Sequence, residues 1–227
     1  MNYRGAVLFD LDGTLVDTAA DFVHIIQQMM HSEKRPLLDE RLIRNTVSEG
    51  ARGLIRLAYQ LQDEDPLFEE KRQWLLELYA KELGRNAMLF DGYQPLLQAL
   101  ASKQLGWGIV TNKPWRFTEP LLQQLQLQPS NNVTICPDHV SQTKPHAEPL
   151  LLAASQLQLA PASCIYVGDH RRDIEAARNA GMFSIACAFG YIHDEDDINS
   201  WQADKIVQSV AELHQFIDQH FKTKSHV

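Results

Sequence analysis

Short apolar runs alternate with helical patterns along most of the chain. The runs are too short for helices and show no polar alternation, which is typical of strands covered on both faces. The expected strands are residues 6–9, 107–111, 133–136, 165–167 and 183–188. The helical patterns between them lie near residues 95–102, 118–125, 147–157 and 172–180. A strand followed by a helix, repeated, predicts an α/β fold with a parallel sheet and right-handed crossovers.

One segment, residues 17–88, breaks this rhythm because it contains only helical patterns. Its first pattern carries an apolar stripe at helical spacing, formed by Ala19, Phe22, Val23, Ile26, Met29 and Met30. Further patterns lie near residues 40–47, 51–61 and 67–83. We expect an inserted helical cap at 17–88 and an α/β core at 1–16 and 89–227. The return to the core, near Phe90-Asp91-Gly92, has a glycine that permits a hinge. The alternative is a block that serves only core packing.

Composition and charge narrow the range of partners. The chain of 227 residues is 44% hydrophobic and 22% charged, as in ordinary globular proteins. Lys and Arg number 21 against 29 Asp and Glu, a net charge of −8, which disfavours binding to nucleic acid or to an anionic membrane. An anionic small molecule remains possible as a partner, provided that local cations or a metal offset this charge. We expect a monomer or a homodimer.

Two further patterns bear on where the protein works. No apolar run approaches the ~20 residues that span a bilayer, and Asp10 and Asp12 interrupt the apolar run that an export signal needs. The three cysteines, Cys136, Cys164 and Cys187, lie in strand-like runs, which predicts small buried side chains in a reducing compartment. We expect a cytoplasmic protein, with a frayed tail at residues 222–227.

Two acidic residues directly follow the first expected strand. Asp10 and Asp12 stand two positions apart, at what would be the carboxyl edge of a parallel sheet, where ligands bind. Two neighbouring carboxylates repel one another, so a cation is expected beside them, and Mg²⁺ prefers carboxylate and backbone oxygens. Taken alone, the pair is equally compatible with a turn in which the aspartates cap backbone groups.

More polar residues fall at the same expected edge. Thr111 and Asn112 end a second strand, Asp169 follows a third, and Lys144 lies in the loop before a helix. Asp173, four positions after Asp169, lies on the same helix face. Each residue alone is compatible with a cap or a surface charge. Together they supply carboxylates for a nucleophile and a metal, a hydroxyl and an amide for phosphate oxygens, and a lysine for charge, which indicates phosphoryl transfer.

The order and spacing of these segments resemble the haloacid dehalogenase superfamily. The segments that carry the resemblance are Asp10-Leu11-Asp12-Gly13-Thr14, Thr111-Asn112, Lys144, and Gly168-Asp169 through Asp173. The resemblance implies a Rossmann-like core, with the helical insert as a C1 cap. Residues 168–182, Gly190-Tyr191 and 201–204 are similar to the phosphoglycolate phosphatase branch and to bacterial N-acetylmuramic acid 6-phosphate phosphatases. This implies a phosphatase for a small phosphomonoester, either phosphoglycolate or a sugar phosphate.

The resemblance also implies roles for single residues. Asp10 would be the nucleophile that forms an aspartyl-phosphate, and Asp12 the general acid and base. Mg²⁺ would be held by Asp10, by the backbone carbonyl of Asp12 and by Asp169. The supporting residues would be Thr111, Asn112 and Lys144 for the phosphate, Thr14 for orienting the aspartate pair, and Asp173 for positioning Lys144 or a metal-bound water.

Arg52 and His170 each allow two interpretations. Arg52, in the segment 48–52 of the expected cap, either pairs with a substrate carboxylate or is a solvated helix residue. His170, where relatives commonly have a small hydroxyl residue, either touches substrate or caps the next helix.

Three other functions compete with a phosphatase. A haloacid dehalogenase needs no acid at position 12, because a halide leaves unprotonated. A phosphosugar mutase keeps both aspartates and differs only in the group that accepts the phosphoryl. A binding protein on this scaffold would be expected to lack the nucleophile, and Asp10 is present.

Overall fold

Six parallel strands form the central sheet of the protein, which a computed structural model describes over residues 3–223. In chain order the strands are β1 (Gly5–Phe9), β2 (Val16–Asp17), β3 (Met88–Leu89), β4 (Leu105–Val110), β5 (Thr134–Ile135), β6 (Cys164–Gly168), β7 (Phe183–Cys187) and β8 (Lys205–Val207). The large sheet has the order β5-β4-β1-β6-β7-β8, and each neighbouring pair in it is parallel. The sequence-based prediction of a parallel α/β fold is confirmed.

Helices cover both faces of this sheet. They are α1 (Ala19–Ser32), α2 (Glu40–Thr46), α3 (Gly50–Tyr59), α4 (Phe68–Glu82), α5 (Tyr93–Ser102), α6 (Trp115–Gln124), α7 (Glu148–Gln156), α8 (Arg171–Ala180) and α9 (Val210–Thr223). From the central strand, Val7 and Phe9 pack towards α5, α6 and α9, whereas Ala6 and Leu8 pack towards α7 and α8. Both faces of β1 are therefore dry, which explains why its sequence shows no polar alternation.

All five expected strands are present, and no strand end differs from expectation by more than two residues. β4 ends at Val110, so Thr111 lies just beyond the strand, at the sheet edge. The short strands β2, β3 and β8 and the last helix, α9, are additional to the expected elements. Strands of two or three residues carry no periodicity of their own and form only where a neighbour supplies hydrogen bonds.

The four helices α1–α4 share an apolar cluster, which Phe117 of α6 and Tyr191 join and which differs from the clusters on the two faces of the sheet. The chain enters and leaves this helical segment through the antiparallel ribbon β2–β3, in which Val16 pairs with Leu89 and Asp17 with Met88. The expectation of no strand within 17–88 is therefore wrong at the two end residues. That the segment acts as a cap stays a prediction.

Two remaining expectations concern surface and termini. None of the helices in residues 3–223 combines the length and the apolar character needed to cross a membrane. The cysteines are buried and form no disulfide. Lys222 and Thr223 belong to α9, and the rest of the tail expected to fray, residues 224–227, lies outside the described residues.

Candidate active site

Asp10 is the first residue beyond the central strand of the sheet. Its backbone N–H donates to the Val167 carbonyl at 2.9 Å, which continues the β1–β6 ladder by one step and fixes where the side chain emerges. The carboxylate is nearly buried, and both the Leu11 N–H (2.7 Å) and the Lys144 ammonium (3.0 Å) contact its Oδ1. The other oxygen receives no hydrogen bond from residues 3–223, so it remains available to a ligand.

Lys144 is a buried cation that joins two carboxylates. Its Nζ lies 3.0 Å from Asp10 Oδ1 and 2.7 Å from Asp173 Oδ1, and it also donates to the Tyr166 hydroxyl at 2.7 Å. Its backbone is held by Asn112, whose amide nitrogen donates to the Lys144 carbonyl (3.0 Å) and whose oxygen accepts from the Lys144 N–H (3.2 Å). The sequence-predicted neighbours Asp10, Lys144 and Asp173 therefore meet, and the Asn112 side chain positions the loop.

Asp169 follows β6 and is held from two sides. The Thr14 hydroxyl donates to its Oδ1 at 2.8 Å, and the Tyr191 N–H donates to its Oδ2 at 2.8 Å. The prediction that Thr14 orients Asp10 and Asp12 is therefore wrong about its partner, because the chain at Gly13 passes directly against Asp169. Gly13, at φ +80°, passes so close that an added Cβ would lie 2.2 Å from Asp169 Oδ2, so only glycine fits there. Burial raises the pKa of Asp169 to about 8, and the nearby carboxylates of Asp10 and Asp173 add to the rise.

Three buried carboxylates form a group that fits a hard divalent cation. Asp10, Asp169 and Asp173 each offer an oxygen, and these three atoms lie within 4.8 Å of one another. Burial raises the pKa of Asp10, although the charge of Lys144 acts in the opposite direction. The positive charge of Lys144 does not balance the three carboxylates. Oxygen donors with excess negative charge are what Mg²⁺ prefers. Asp173 is bonded to the Lys144 ammonium, whereas the partners of Asp169, the Thr14 hydroxyl and the Tyr191 N–H, are neutral. The charge of Asp169 is therefore less compensated than that of Asp173.

The Asp12 side chain lies outside that carboxylate group. Its Oδ1 accepts from the Thr18 hydroxyl (2.6 Å) and from the Lys113 ammonium (2.9 Å), and Lys113 donates in turn to the Tyr79 hydroxyl of α4 at 2.6 Å. Burial alone would lower the pKa of Lys113, yet the Asp12 carboxylate and the Tyr79 hydroxyl hold it well above its ordinary value. A hydrogen-bonded chain thus links Asp12 to the helical segment.

A cavity of about 440 Å³ opens above Asp10 and Asp12, between the sheet edge and the helical segment. Thr111 and Asn112 line it on the sheet side, as the sequence predicted for phosphate-binding residues. The helical segment reaches the site through Ser48, whose carbonyl accepts from Arg172 Nη2 at 2.6 Å and whose hydroxyl lies 3.4 Å from Asp169 Oδ2. The site is therefore enclosed by both parts of the chain.

Arg52 lines the same cavity, but its guanidinium is engaged. It donates to the Asp63 carboxylate at 3.1 and 2.9 Å, a carboxylate it shares with Arg56, and lies over the Phe68 ring. Its pairing with a substrate carboxylate stays a prediction.

Of the two interpretations of His170, the structure shows the one in which it caps a helix. Its Nδ1 accepts from the Arg172 N–H at 3.2 Å at the start of α8, and Asp173 completes the capping box by accepting from the His170 N–H. Burial, followed by the nearby Arg172 charge, lowers the pKa of His170 to about 4.

Sequence reasoning missed four residues that line the cavity, Tyr79, Lys113, Arg116 and Arg172, and also Thr18, which is bonded to Asp12. Lys113 had a usable signal, since it directly follows Thr111-Asn112 at a strand end. Tyr79 had none, because in the sequence it is one more aromatic residue on the apolar face of a helix.

Comparison with known proteins finds relatives whose sequences align with almost the whole chain. A family model described as "Haloacid dehalogenase-like hydrolase" matches residues 7–187, a range that contains every site residue named above except Tyr191. The chain is 46% identical over 213 residues to the N-acetylmuramic acid 6-phosphate phosphatase of Pseudomonas putida, covering 94% of this chain and 96% of that protein. It is 41% identical over 216 residues to the phosphoglycolate phosphatase of Xanthomonas campestris, with 94% and 96% covered.

A solved structure extends the likeness to the fold. The crystal structure of a predicted phosphoglycolate phosphatase from Haemophilus somnus superposes with a TM-score of 0.80 at 23% identity, covering 96% of this chain and 99% of that one. The sheet and the helical segment are thus arranged here as in that structure.

Proposed function

The chain belongs to the haloacid dehalogenase-like hydrolases and is a phosphoric monoester hydrolase, and we propose that it forms an aspartyl-phosphate on Asp10 with Mg²⁺ as cofactor. One observation carries the proposal: a carboxylate with one free oxygen faces the cavity, with a buried lysine 3.0 Å from its other oxygen and a group of acids beneath it. The elements of a nucleophile, a counter-charge and a metal site coincide at one point of the sheet edge.

The first step uses the free oxygen of Asp10. It forms a bond to phosphorus while the ester P–O bond breaks, and the leaving alkoxide takes a proton from Asp12. In the second step a water attacks phosphorus and gives its proton to Asp12, the bond to Asp10 breaks, and free phosphate departs. Lys113 and Thr18 hold the Asp12 carboxylate away from the acidic group, in the orientation that this proton transfer needs.

Asp10, Asp169 and the backbone carbonyl of Asp12 would hold Mg²⁺, with Asp173 positioning Lys144 from behind. Bound there, the metal supplies positive charge that offsets the phosphoryl oxygens and the nucleophile. Thr14 and the Tyr191 N–H fix the Asp169 carboxylate in one orientation, which is the usual work of residues that surround a metal ligand.

Thr111 and Asn112 are the candidate ligands for the phosphoryl oxygens. Both line the cavity at the end of β4. Because the Asn112 side chain is bonded to the Lys144 backbone, the backbone N–H of Asn112 is the donor proposed for the phosphate.

We favour a sugar phosphate that carries a carboxylate, in the manner of N-acetylmuramic acid 6-phosphate, over phosphoglycolate. The cavity, about 440 Å³, lies within the range of roughly 300–1,000 Å³ that encloses drug-sized ligands, several times more than phosphoglycolate fills. The first of the relatives reported above acts, by its name, on that sugar phosphate.

A phosphate-release assay tests the proposal. Purified protein is incubated with Mg²⁺ or with EDTA and with N-acetylmuramic acid 6-phosphate, phosphoglycolate, hexose phosphates and nucleotides. We expect Mg²⁺-dependent release, with the highest kcat/KM on N-acetylmuramic acid 6-phosphate. Equal rates in EDTA would contradict the metal, and transfer of the phosphoryl group to a sugar hydroxyl without free phosphate would favour a mutase.

A further inference from the structure

Cations outnumber acids on the walls of the cavity. The cationic residues among the described lining are Arg52, Arg72, Lys113, Arg116 and Arg172, and the acidic ones are Asp10, Asp12 and Glu49. A bound Mg²⁺ would increase the positive excess, so the cavity suits a ligand with more negative charge than one phosphate.

Most of these cations already have an oxygen partner within the protein. Arg52 is bonded to Asp63, and Lys113 to Asp12. Arg72 is bonded to Glu69, and Arg172 to the Ser48 carbonyl. A carboxylate balances the charge of Arg52, Lys113 and Arg72. Arg172 meets only a neutral carbonyl, and its Nε has no hydrogen-bond partner among the described residues.

Arg116 is the exception. Within residues 3–223, no carboxylate or carbonyl oxygen lies within bonding distance of its side chain, whose recorded contact is the Phe117 ring, 4.6 Å from the guanidinium carbon. It is exposed and stands in the first turn of α6, where the helix dipole disfavours a cation. Neither a salt bridge nor helix stability accounts for an arginine at this point of the cavity wall.

We propose that Arg116 binds the carboxylate of the substrate's leaving group and thereby selects the substrate; this rests on the phosphatase function proposed above. Stacking over Phe117 leaves the in-plane N–H donors of the guanidinium free, and these match a carboxylate in a bidentate pair.

The location separates this role from phosphate binding. Phosphorus must sit at Asp10, on the sheet side, whereas Arg116 also lines a neighbouring hollow of about 260 Å³ together with Leu76 and Glu77 of α4. It therefore stands at the border of the cavity that faces α4, where the leaving group, rather than the phosphoryl group, extends.

The test uses two substrates that differ only in the carboxylate-bearing lactyl ether: N-acetylmuramic acid 6-phosphate and N-acetylglucosamine 6-phosphate. For Arg116→Ala we expect kcat/KM on the first to fall about 10- to 100-fold, mainly through KM, and on the second to change less than about twofold. Arg116→Lys should recover part of the loss. Arg85→Ala, which removes an exposed arginine at the end of the helical segment, is the matched control and should leave both substrates unaffected.

Three outcomes would overturn the inference while leaving phosphatase activity in place. The wild type could show no preference for the carboxylated sugar. Arg116→Ala could slow both substrates equally, which would assign the residue to the phosphate or to the helical segment. Arg52→Ala, rather than Arg116→Ala, could abolish the preference. If the wild type releases phosphate from neither sugar nor from phosphoglycolate, the proposed function itself fails, and this result is distinct from the other three.

Discussion

At the scale of single residues, the site depends on Lys144 as a counter-charge. The lysine and its partners Asp10 and Asp173 are almost completely removed from solvent. Removing one member of such a group leaves buried charge uncompensated, which costs about 3–5 kcal/mol in measured cases. Lys144 therefore maintains the fold of the sheet edge as well as the charge of Asp10.

Lys144→Met should destabilise the metal-free protein by about 3–5 kcal/mol, which at this chain length lowers Tm by about 2–4 °C per kcal/mol. Adding Asp173→Asn to the same variant should restore part of the loss, because one of the stranded carboxylates is then neutral. Thermal melts in EDTA measure both, with Lys81→Met on the exposed side of α4 as control. A Lys144→Met protein with the same Tm as the wild type would contradict this, because it would show that Asp10 and Asp173 need no positive charge to balance them.

Asp169 makes metal-free stability depend on pH. Its pKa is about 8 in the folded protein against 3.8 for an ordinary aspartate, so between these values the folded state binds more protons than the unfolded chain. The stability that Asp169 adds in this way is fully present at low pH and is lost as the pH rises through about 8. In EDTA, we expect the Tm of wild type relative to Asp169→Asn to fall from about pH 5 to about pH 8. Added Mg²⁺ should raise the Tm at high pH in the wild type but not in Asp169→Asn. A difference in Tm between the two proteins that does not change with pH would contradict this account of Asp169.

Sequence reasoning identified the residues that follow strands and missed those that approach from elsewhere. Asp10, Thr111 and Asp169 stand next to apolar runs, so the parallel sheet dictates that they meet. The partners of Asp12 come from other places, Lys113 from a strand end and Tyr79 from a helix 67 positions further along the chain. Contacts of this kind depend on how the helices pack, which local pattern does not encode.

At the scale of elements, helix α4 lines the cavity and joins the hydrogen bonds around Asp12 through one hydroxyl, that of Tyr79. Tyr79 accepts from Lys113, its ring stacks on Phe22 of α1 at 4.3 Å, and the ammonium lies 4.7 Å from its centroid. The position of Lys113, and through it that of Asp12, thus depends on where α4 sits.

Tyr79→Phe should lower kcat about 3- to 10-fold on every phosphate ester, because a buried ammonium loses an acceptor and holds Asp12 less firmly. KM should change little, which separates this effect from that of Arg116. Tyr59→Phe removes a hydroxyl from α3 in the same apolar cluster, away from the cavity, and serves as control. Equal losses in the two variants would mean that the hydroxyl acts on stability alone.

The elements themselves were predictable where their pattern was long. The buried strands β1, β4 and β6 and the amphipathic helices follow from the sequence within a few residues. The edge strand β8 and the ribbon β2–β3 do not, because their two or three residues adopt strand geometry only through pairing. Helix α9 had a readable stripe in Val210, Leu213 and Ile217, which the expected boundaries did not use.

At the scale of the whole molecule, the sheet supplies the chemistry and the helical segment encloses it. The acidic group and Lys144 lie at the edge of the sheet, while Ser48 and Tyr79 come from the segment between β2 and β3. The four sequence segments that resemble the haloacid dehalogenase superfamily predict the residues at the sheet edge. The enclosure arises where the apolar cluster of the helical segment meets that of the sheet, and no single segment of the sequence encodes this contact.

The central claim is that Asp10 attacks phosphorus, and the most direct measurement is the turnover of Asp10→Asn with Mg²⁺ on the best substrate of the wild type. The substitution keeps the shape of the side chain and removes a buried charge, so thermal melts should show a folded protein. We predict a loss of at least about 10³-fold in kcat, and the same loss for Asp10→Ala, which excludes reversion by deamidation. A folded Asp10→Asn protein that keeps a tenth of the wild-type rate would contradict covalent catalysis through Asp10.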